Sequence, residues 1–302
     1  MQHDAIIIGG SFAGLSAAIH IARARRSVCV IDAGNPRNRF ANTSHGFFGQ
    51  DGSAPLPMIA TARSQLQAYP TVRTLAGEAS TARGVDGGFE VMLAGGETLT
   101  AAKLVLAFGI SDELPNMPGI SERWGKSVLH CPYCHGFEYG GGRMGVLQMM
   151  PMSAHQALLI VDWGPTTLYL NGGDMPSADM QAKLTYRGVA IEPSPIAALQ
   201  GDGVGLSSLL LDDGRASPID ALYIAPRTYL NSPIAEQLGC ALDNGPFGPV
   251  IRTDAARLTS VQGVYAAGDA ARAPHNASWA AADGVTAGVS LHQSLVFGAL
   301  AA

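Results

Sequence analysis

A glycine-rich turn between two short apolar segments near the N-terminus constrains the fold of this chain more than any other feature. The segment Asp4–Ile8 is predicted to form a buried strand, residues 9–14 (GGSFAG) a tight turn, and residues 15–25 a helix. A second apolar strand, Val28–Ile31, ends at Asp32, which lies 23 residues after the first glycine of the turn. This order of strand, turn, helix, strand and acid predicts a dinucleotide-binding βαβ unit.

The residue types in this unit match what a bound pyrophosphate and ribose require. Gly9 permits the tight turn, Gly14 lets the helix approach the strand, and the helix N-terminus offers free N–H groups to phosphate. Ser11 replaces the middle glycine of the fingerprint and is small enough to be tolerated, and Asp32 is placed to bind ribose hydroxyls. The predicted cofactor-binding residues of this unit are Gly9, Gly10, Ser11, Ala13, Gly14, Asp32 and Ala33.

Composition and charge narrow the class of protein. Hydrophobic residues make up 47% of the 302 residues and charged residues 14%, with 37 glycines, which is typical of a tightly wound α/β protein. A formal net charge of −5 argues against nucleic acid or an anionic membrane as the main partner. Because the sequence has neither a signal-peptide pattern nor a long apolar run, and has four cysteines with only one close pair, we expect a cytoplasmic protein.

The segment HCPYCHG, residues 130–136, indicates redox chemistry. Cys131 and Cys134 can close into a disulfide that is easily opened again, because one thiol of such a pair usually has a lowered pKa. A zinc site is disfavoured, since the remaining cysteines, Cys29 and Cys240, are isolated, and we predict no metal site. On the motif alone, an inert structural disulfide stays open as an alternative.

Two further segments identify the dinucleotide. Gly268 and Asp269 end a short predicted strand that precedes a helix-like run from Ser278. This segment resembles the two-dinucleotide-binding-domain flavoproteins, in which such an aspartate binds the ribityl chain of FAD. The turn Ala107–Gly109 is similar to the segment that lies between the domains of that family. FAD is therefore the expected cofactor. The further binding residues that the resemblance implies are Gly109, Gly268, Asp269, Ala277 and Ser278, the last two at a helix N-terminus that we expect to face the flavin pyrimidine edge.

The whole chain resembles the low-molecular-weight thioredoxin reductase family in the order of these segments. The resemblance implies an α/β fold with two Rossmann-like dinucleotide-binding domains, in which the FAD domain is discontinuous and the second domain is inserted into it. The implied boundaries are residues 1–114 and 227–302 for the FAD domain and 115–226 for the inserted domain with the cysteine pair. The resemblance also implies that Cys134 lies next to the flavin, that Cys131 meets the substrate, and that the protein is a homodimer.

The residue after the second cysteine departs from the thioredoxin reductases, which have an aspartate there. This chain has His135, within CPYCHGFE, and that variant resembles the FAD-dependent dithiol oxidases of the gliotoxin and holomycin type, which close disulfides in small sulfur metabolites. A histidine can take a proton from a dithiol near neutral pH, so we predict that His135 is the catalytic base beside Cys131 and Cys134. The role of His130 is left open. Residues 45–49 lie where the family wraps the flavin, and we expect packing or capping roles for them.

The second nucleotide-binding unit lacks the features that the family uses to bind NADPH. Gln148 and Met150 stand at the positions of the first two fingerprint glycines, and Pro151 removes an N–H donor. No Lys or Arg lies between Arg143 and Lys183 to hold a 2′-phosphate. We therefore predict a degenerate nicotinamide site, with a skewed mode of NADH binding as the remaining alternative.

Three functions are compatible with these features. The favoured one is an oxidase that closes a small-molecule dithiol through Cys131 and Cys134 and passes electrons through FAD to dioxygen, without NADPH. The second is a thioredoxin reductase-like enzyme that reduces a protein disulfide with electrons from ferredoxin or another non-NADPH donor. The third is a non-enzymatic flavoprotein that senses redox state through the same cysteines.

Overall fold

The structure, a computed structural model, describes residues 2–298 and divides into two compact units. The first unit contains the described residues of Met1–Arg39, Ala54–Ser111 and Thr228–Ala302, and the second contains Phe40–Ser53 and Asp112–Arg227. Residues 40–53, which the sequence places in the FAD domain, thus belong to the second unit. Within the described range, no helix is long and apolar enough to span a membrane.

Strands and helices alternate in residues 2–76 and 128–192, whereas strands follow one another directly in most of the rest of the described chain. The strands are, in chain order, β1 (Gln2–Ile8), β2 (Val28–Asp32), β3 (Val72–Ala76), β4 (Ala79–Val85), β5 (Gly88–Leu93), β6 (Thr98–Leu106), β7 (Ile110–Glu113), β8 (Val128–Leu129), β9 (Met144–Leu147), β10 (Thr166–Tyr169), β11 (Ala190–Glu192), β12 (Ile196–Gln200), β13 (Ser208–Leu211), β14 (Ala216–Pro218), β15 (Ala221–Tyr223), β16 (Arg227–Leu230), β17 (Leu242–Asn244), β18 (Pro249–Ile251) and β19 (Val264–Ala266). The helices are α1 (Phe12–Arg23), α2 (Pro55–Gln67), α3 (Pro132–His135), α4 (Ser153–Ile160), α5 (Ala178–Tyr186), α6 (Ile234–Gln237) and α7 (Ala277–Phe297).

A seven-stranded sheet organises the first unit. Its strand order is β3-β2-β1-β6-β5-β4, and β19 pairs with the carboxyl half of β6. Strands β1, β2, β3, β6 and β19 are parallel, whereas β4 and β5 form an antiparallel extension. The central strands are apolar on both faces because both are covered: Ile7 packs with Ile21 of α1 and Leu291 of α7, and Ile6 packs with Phe89 and Ile251 on the other side.

The second unit is built on a smaller parallel sheet. Its five strands have the order β11-β10-β9-β15-β8, and a three-stranded antiparallel sheet, β12-β13-β14, belongs to the same unit. The sequence β9, α4, β10, α5, β11 repeats the strand–helix alternation of the first unit, with every pairing of the five-stranded sheet parallel. The predicted α/β fold class, with two Rossmann-like units, is therefore confirmed.

Element boundaries differ from the sequence-based predictions by a few residues. Helix α1 begins at Phe12 rather than Leu15, and it ends at Arg23 because Arg25 adopts a left-handed φ of 63°, which a helix does not continue through. Strand β6 begins at Thr98 rather than Lys103, since its first residues pair with the antiparallel strand β5. Helix α7 begins at Ala277, one residue before the predicted start.

Candidate active site

The predicted FAD-binding segments of the first unit meet at one edge of its sheet. In the strand register Ile8 lies opposite both Ile31 and Leu106, and Ala266 lies opposite Leu106. The glycine turn, Asp32, the turn before Gly109 and the Gly268–Asp269 pair follow these strand ends directly. The carboxyl edge of a parallel sheet is where Rossmann folds bind dinucleotides, so the tertiary structure brings four distant segments together at the expected place.

The glycines of the first turn are required by close backbone approaches. A Cβ atom on Gly9, whose φ is 113°, would lie 2.2 Å from the carbonyl oxygen of Ala107. A Cβ atom on Gly14 would lie 1.8 Å from the carbonyl oxygen of Gly9, and one on Gly10 would lie 2.7 Å from the Asp32 side chain. Real Cβ atoms do not approach so closely, so the turn keeps its shape only with glycine at these positions, and its backbone is open to a pyrophosphate.

Two helix N-termini converge beside this turn. A Cβ on Gly268 would contact Ala13 in the first turn of α1, at 2.9 Å, and Ala280 in the first turn of α7, at 3.5 Å. Ser11, the N-cap residue of α1, makes no side-chain capping hydrogen bond within residues 2–298, so its hydroxyl does not cap the N-terminus of that helix. Asn276 caps α7 and accepts the N–H of Ser278 at 2.8 Å.

The two predicted FAD-binding carboxylates are held by partners that sequence reasoning missed. Asp32 accepts hydrogen bonds from the N–H groups of Gly10 (3.2 Å) and Gly34 (3.1 Å), and its second oxygen pairs with Arg63. Asp269 pairs with Arg37 at 3.2 Å. Neither arginine lies in a motif, and only the tertiary structure brings them to the sheet edge. The close-packed glycine turn, the N-terminus of α1 and the anchored carboxylates together fit the pyrophosphate, ribose and ribityl groups of FAD.

The redox motif of the second unit follows β8 directly and includes α3, a single helical turn. Cys131 is the N-cap residue of α3, and it forms a disulfide with Cys134, their Cα atoms being 5.3 Å apart. Pro132 at the first helical position fixes the backbone of this turn without losing a needed N–H. Gln156 of α4 donates a hydrogen bond to the main-chain oxygen of His130 at 3.0 Å, which anchors the segment just before the cysteines.

The end of the redox motif, at Gly136, packs closely against Pro132 and Trp163. A Cβ on Gly136 would lie 2.6 Å from the Pro132 carbonyl oxygen and 2.7 Å from the Trp163 indole nitrogen, so this position after His135 needs glycine. Trp163 also meets the ring of Tyr133 edge to face, with centroids 5.5 Å apart. The helical turn that carries both cysteines is therefore packed from behind, while the side chains of Cys131 and Cys134 stay partly exposed.

His135, the predicted base, ends helix α3 and is half-buried. Burial lowers its pKa, because a charged imidazole loses solvation there; Glu138 raises the pKa, and His45 and Lys126 lower it. The net direction is downward, so His135 is neutral at neutral pH, which is the form that accepts a proton. Its ring nitrogens form no hydrogen bond with any residue of the described range, so they are available to a substrate thiol.

The turn between β9 and α4, which corresponds to the glycine turn of the first unit, is closed by its own side chains. The buried Ser153 hydroxyl accepts the N–H groups of Met149 (3.1 Å) and Met150 (3.4 Å). Gln148 Nε2 donates to the main-chain oxygen of Asp174 at 2.8 Å. This bond links the ends of β9 and β10, where an adenosine ribose lies in a Rossmann unit that binds a dinucleotide.

The other two cysteines lie in the core and have no exposed surface for redox exchange. Cys29 is fully buried in β2, and its burial raises the pKa of the thiol to about 11. Burial likewise raises the pKa of Cys240, whose sulfur lies 3.6 Å from the Thr259 hydroxyl. Because the thiolate is the reactive form, both groups are inert, as a buried free thiol usually is.

The chain is similar to known oxidoreductases over most of its length. A family model described as pyridine nucleotide-disulphide oxidoreductase matches residues 3–284. Thioredoxin reductase tcpT of Claviceps purpurea (strain 20.1) is 36% identical over 280 residues, which cover 88% of this chain and 86% of that relative. An oxidoreductase from Agrobacterium tumefaciens has 45% identity and a TM-score of 0.94, with 98% of this chain and 99% of that chain covered. The crystal structure of HlmI has 33% identity and a TM-score of 0.93, with 99% and 94% covered.

These matches confirm the predicted family and the predicted enzyme class. The chain is an enzyme rather than a non-enzymatic sensor, because its relatives over nearly their whole length are oxidoreductases. Thioredoxin reductase-like members of the family are FAD flavoproteins, and the first unit fits that cofactor, so the predicted FAD is confirmed as well. The chain belongs to the pyridine nucleotide-disulphide oxidoreductase family, as a thioredoxin reductase-like, FAD-dependent disulfide oxidoreductase.

Proposed function

We propose that this enzyme oxidises a small-molecule dithiol to a disulfide through Cys131 and Cys134, without NADPH, and passes the electrons to dioxygen. The observation that carries the proposal is the closed turn of the second unit, where Ser153 and Gln148 occupy the polar groups that a nicotinamide dinucleotide would need. Without a hydride donor, the thiols are the electron source, and the cysteine pair receives electrons from the substrate.

The charges of the second unit support the absence of a nicotinamide ligand. Arg143 and Lys183 bracket the degenerate segment, and both are ion-paired, with Asp220 at 2.7 Å and with Asp179 at 2.6 Å. A phosphorylated dinucleotide would have to compete with these carboxylates for its countercharge. The segment between them holds no Lys or Arg. Turn geometry and charge thus disfavour NADPH independently.

The residues divide the reaction into proton and thiol steps. His135 takes the proton of one substrate thiol, and the thiolate attacks Cys131 Sγ; a mixed disulfide forms as the Cys131–Cys134 bond breaks and Cys134 leaves as a thiolate. The second substrate thiol attacks the substrate sulfur joined to Cys131; that S–S bond breaks, and Cys131 leaves and takes the proton of this thiol, so that the substrate departs as a disulfide and the cysteine pair holds two electrons. FAD, when bound, supplies the transfer of these two electrons to dioxygen, which becomes hydrogen peroxide.

An anaerobic mixing experiment tests the direction of electron flow. The purified holoenzyme is expected to lose its yellow colour with dithiothreitol but not with NADPH or NADH, because the second unit does not bind a nicotinamide dinucleotide. Flavin absorbance after mixing is the measurement. On admission of air, we expect the yellow colour to return and hydrogen peroxide to appear in an amount that matches the dithiol consumed.

Two results would contradict the proposal in different ways. Rapid bleaching by NADPH would show that the second unit binds this donor despite its closed turn. Bleaching by dithiothreitol without recovery in air would remove dioxygen as acceptor. That result would favour the second function, a thioredoxin reductase-like enzyme with a non-NADPH donor. A cytoplasmic location stays a prediction from the sequence.

We also propose a homodimer that uses the exposed face of α7. The exposed positions of this helix are Trp279, Ala282, Val285, Val289, Gln293 and Phe297. None is charged, and the one acid of the helix, Asp283, is buried. An uncharged face over five helical turns is unusual for a surface helix and suits a second copy of the chain.

A charge in the middle of this face is expected to break the dimer. Val289→Glu should weaken self-association about tenfold or more, because a carboxylate would be desolvated at the interface without a partner. Sedimentation velocity over a range of protein concentrations measures the effect. Tyr186→Glu, on the exposed side of α5 in the other unit, is the matched control and should leave the dimer intact. Equal sedimentation of both variants and the parent protein would contradict this interface.

A further inference from the structure

Residues 40–53 contact the segment just after the redox motif through an ion pair between His45 and Glu138. His45 Nε2 lies 3.2 Å from Glu138 Oε1, and His45 Nδ1 lies 3.5 Å from Asp51 Oδ1. Asp51 also accepts the N–H of Gly46 at 2.8 Å, so the turn that presents His45 is held by its own hydrogen bonds. The imidazole is thus fixed between two carboxylates, one of them three residues beyond the predicted catalytic base.

Glu138 lies three residues after His135 in the chain. The backbone continues in turns after α3 ends at His135, and Glu138 acts electrostatically on the His135 imidazole. Glu138 and His45 are both partly exposed, with 39% and 23% of their side chains accessible. The carboxylate influences the predicted base electrostatically, while its ion-pair partner is His45.

The charged groups around His135 shift its pKa in opposite directions. After burial, which lowers the pKa of His135, the largest influence is Glu138, which raises it. His45, from residues 40–53, and Lys126, from the segment before β8, both lower it. The ion pair thus places one group of each sign beside the base, and each partner limits the effect of the other.

We propose that Glu138 and His45 are a positioning pair that tunes His135 for accepting the proton of the substrate thiol. The inference rests on the proposed function, in which His135 starts thiol–disulfide exchange by removing that proton. Glu138 favours the protonated imidazole and keeps the base strong enough to take the proton. A protonated His45 offsets part of the charge of the Glu138 carboxylate and favours a neutral His135 imidazole before the substrate arrives. Neither residue touches the reacting sulfur atoms in this scheme.

The test is the pH dependence of flavin bleaching by dithiothreitol in the anaerobic holoenzyme. The rate should rise with pH as His135 loses its proton. Glu138→Gln removes the influence that favours the charged imidazole, so the rising limb should move to lower pH. His45→Ala removes a lowering influence and leaves Glu138 unopposed, so the limb should move to higher pH. We expect each displacement to be roughly 0.3–1 pH unit.

Displacements of the rising limb in opposite directions distinguish an electrostatic effect on His135 from a structural role of the ion pair. If the ion pair only held residues 40–53 in place, both substitutions would lower the bleaching rate. The rising limbs of the two pH profiles would then not separate. Asp162→Asn breaks the exposed ion pair with Arg187, 2.6 Å long, in the same unit and should leave the profile unchanged. If the His45→Ala protein does not retain FAD, His45→Gln, which keeps an uncharged amide beside Glu138, is used in its place.

Each outcome has a separate meaning. Displacements in opposite directions support the positioning pair. Profiles that coincide with the parent profile, or that move in the same direction, overturn it while leaving the proposed function intact. If the parent enzyme is not bleached by dithiothreitol at any pH, the proposed function itself fails, and the positioning pair fails with it.

Discussion

Replacing Cys134 with serine is expected to abolish flavin bleaching by dithiothreitol while FAD stays bound. In the proposed mechanism Cys134 is the sulfur that leaves when a thiolate attacks Cys131, and a serine oxygen can neither form the disulfide nor receive the electron pair. The FAD cradle lies in the first unit and does not include this residue. We expect the bleaching rate to fall about 10³-fold or more, as is usual when the group that forms a covalent intermediate is removed.

A cysteine elsewhere in the chain is the matched control. Cys240→Ala removes a buried thiol with a raised pKa, and it should leave the bleaching rate within about threefold of the parent rate. Stopped-flow absorbance gives the rates, and the flavin-to-protein ratio shows whether FAD is retained. Bleaching of Cys134→Ser at the parent rate would mean that the dithiol reduces the flavin directly, and it would remove the disulfide from the mechanism.

Gly14→Ala is expected to release FAD and destabilise the first unit. The added Cβ would lie 1.8 Å from the carbonyl oxygen of Gly9 and 3.3 Å from the side chain of Ile7, so α1 would have to move away from β1. The movement would displace the N–H groups that face the pyrophosphate. We expect the purified protein to be colourless and its free energy of unfolding to fall by about 3 kcal/mol, the upper range for overpacking a core.

Gly84→Ala is the control for this substitution. Gly84 lies in β4 with nothing within 4 Å of an added Cβ, and it belongs to the same unit. Its replacement should leave the flavin content and the urea midpoint nearly unchanged. A yellow, stable Gly14→Ala protein would contradict the close approach of α1 and β1, and with it the reason for glycine in the turn.

Local patterns predicted the elements around the cofactor well. The turn GGSFAG, the acid at Asp32 and the Gly268–Asp269 pair each carry a local signal, because tight backbone approach demands glycine and ribose binding favours a carboxylate. The starts of helices α1 and α7 lie within three residues of the predicted starts. The predictions were least accurate at element ends such as Arg25 and Thr98, where a left-handed residue or a long-range strand pairing sets the boundary.

Residues that act through long-range contacts had no such signal. Arg37 and Arg63, which anchor the two carboxylates, are ordinary surface-type residues in the sequence. Glu138 could have been found from its spacing of three residues from His135 in a helical turn. His45 could not, because it lies 85 residues before the start of the redox motif at His130 and the family resemblance suggested a packing role near the flavin.

The sequence alone determined the fold class, the family, the cofactor and the identity of the redox cysteines, since each depends on residue types that backbone geometry or thiol chemistry demands at fixed spacing. Only the tertiary structure decided which charged groups lie near His135, the predicted base. It also decided which side chains fill the turn between β9 and α4. Those facts depend on contacts such as His45 with Glu138 and Gln148 with Asp174, made between segments distant in sequence. No local pattern encodes them, because packing of the whole unit determines which distant side chains meet.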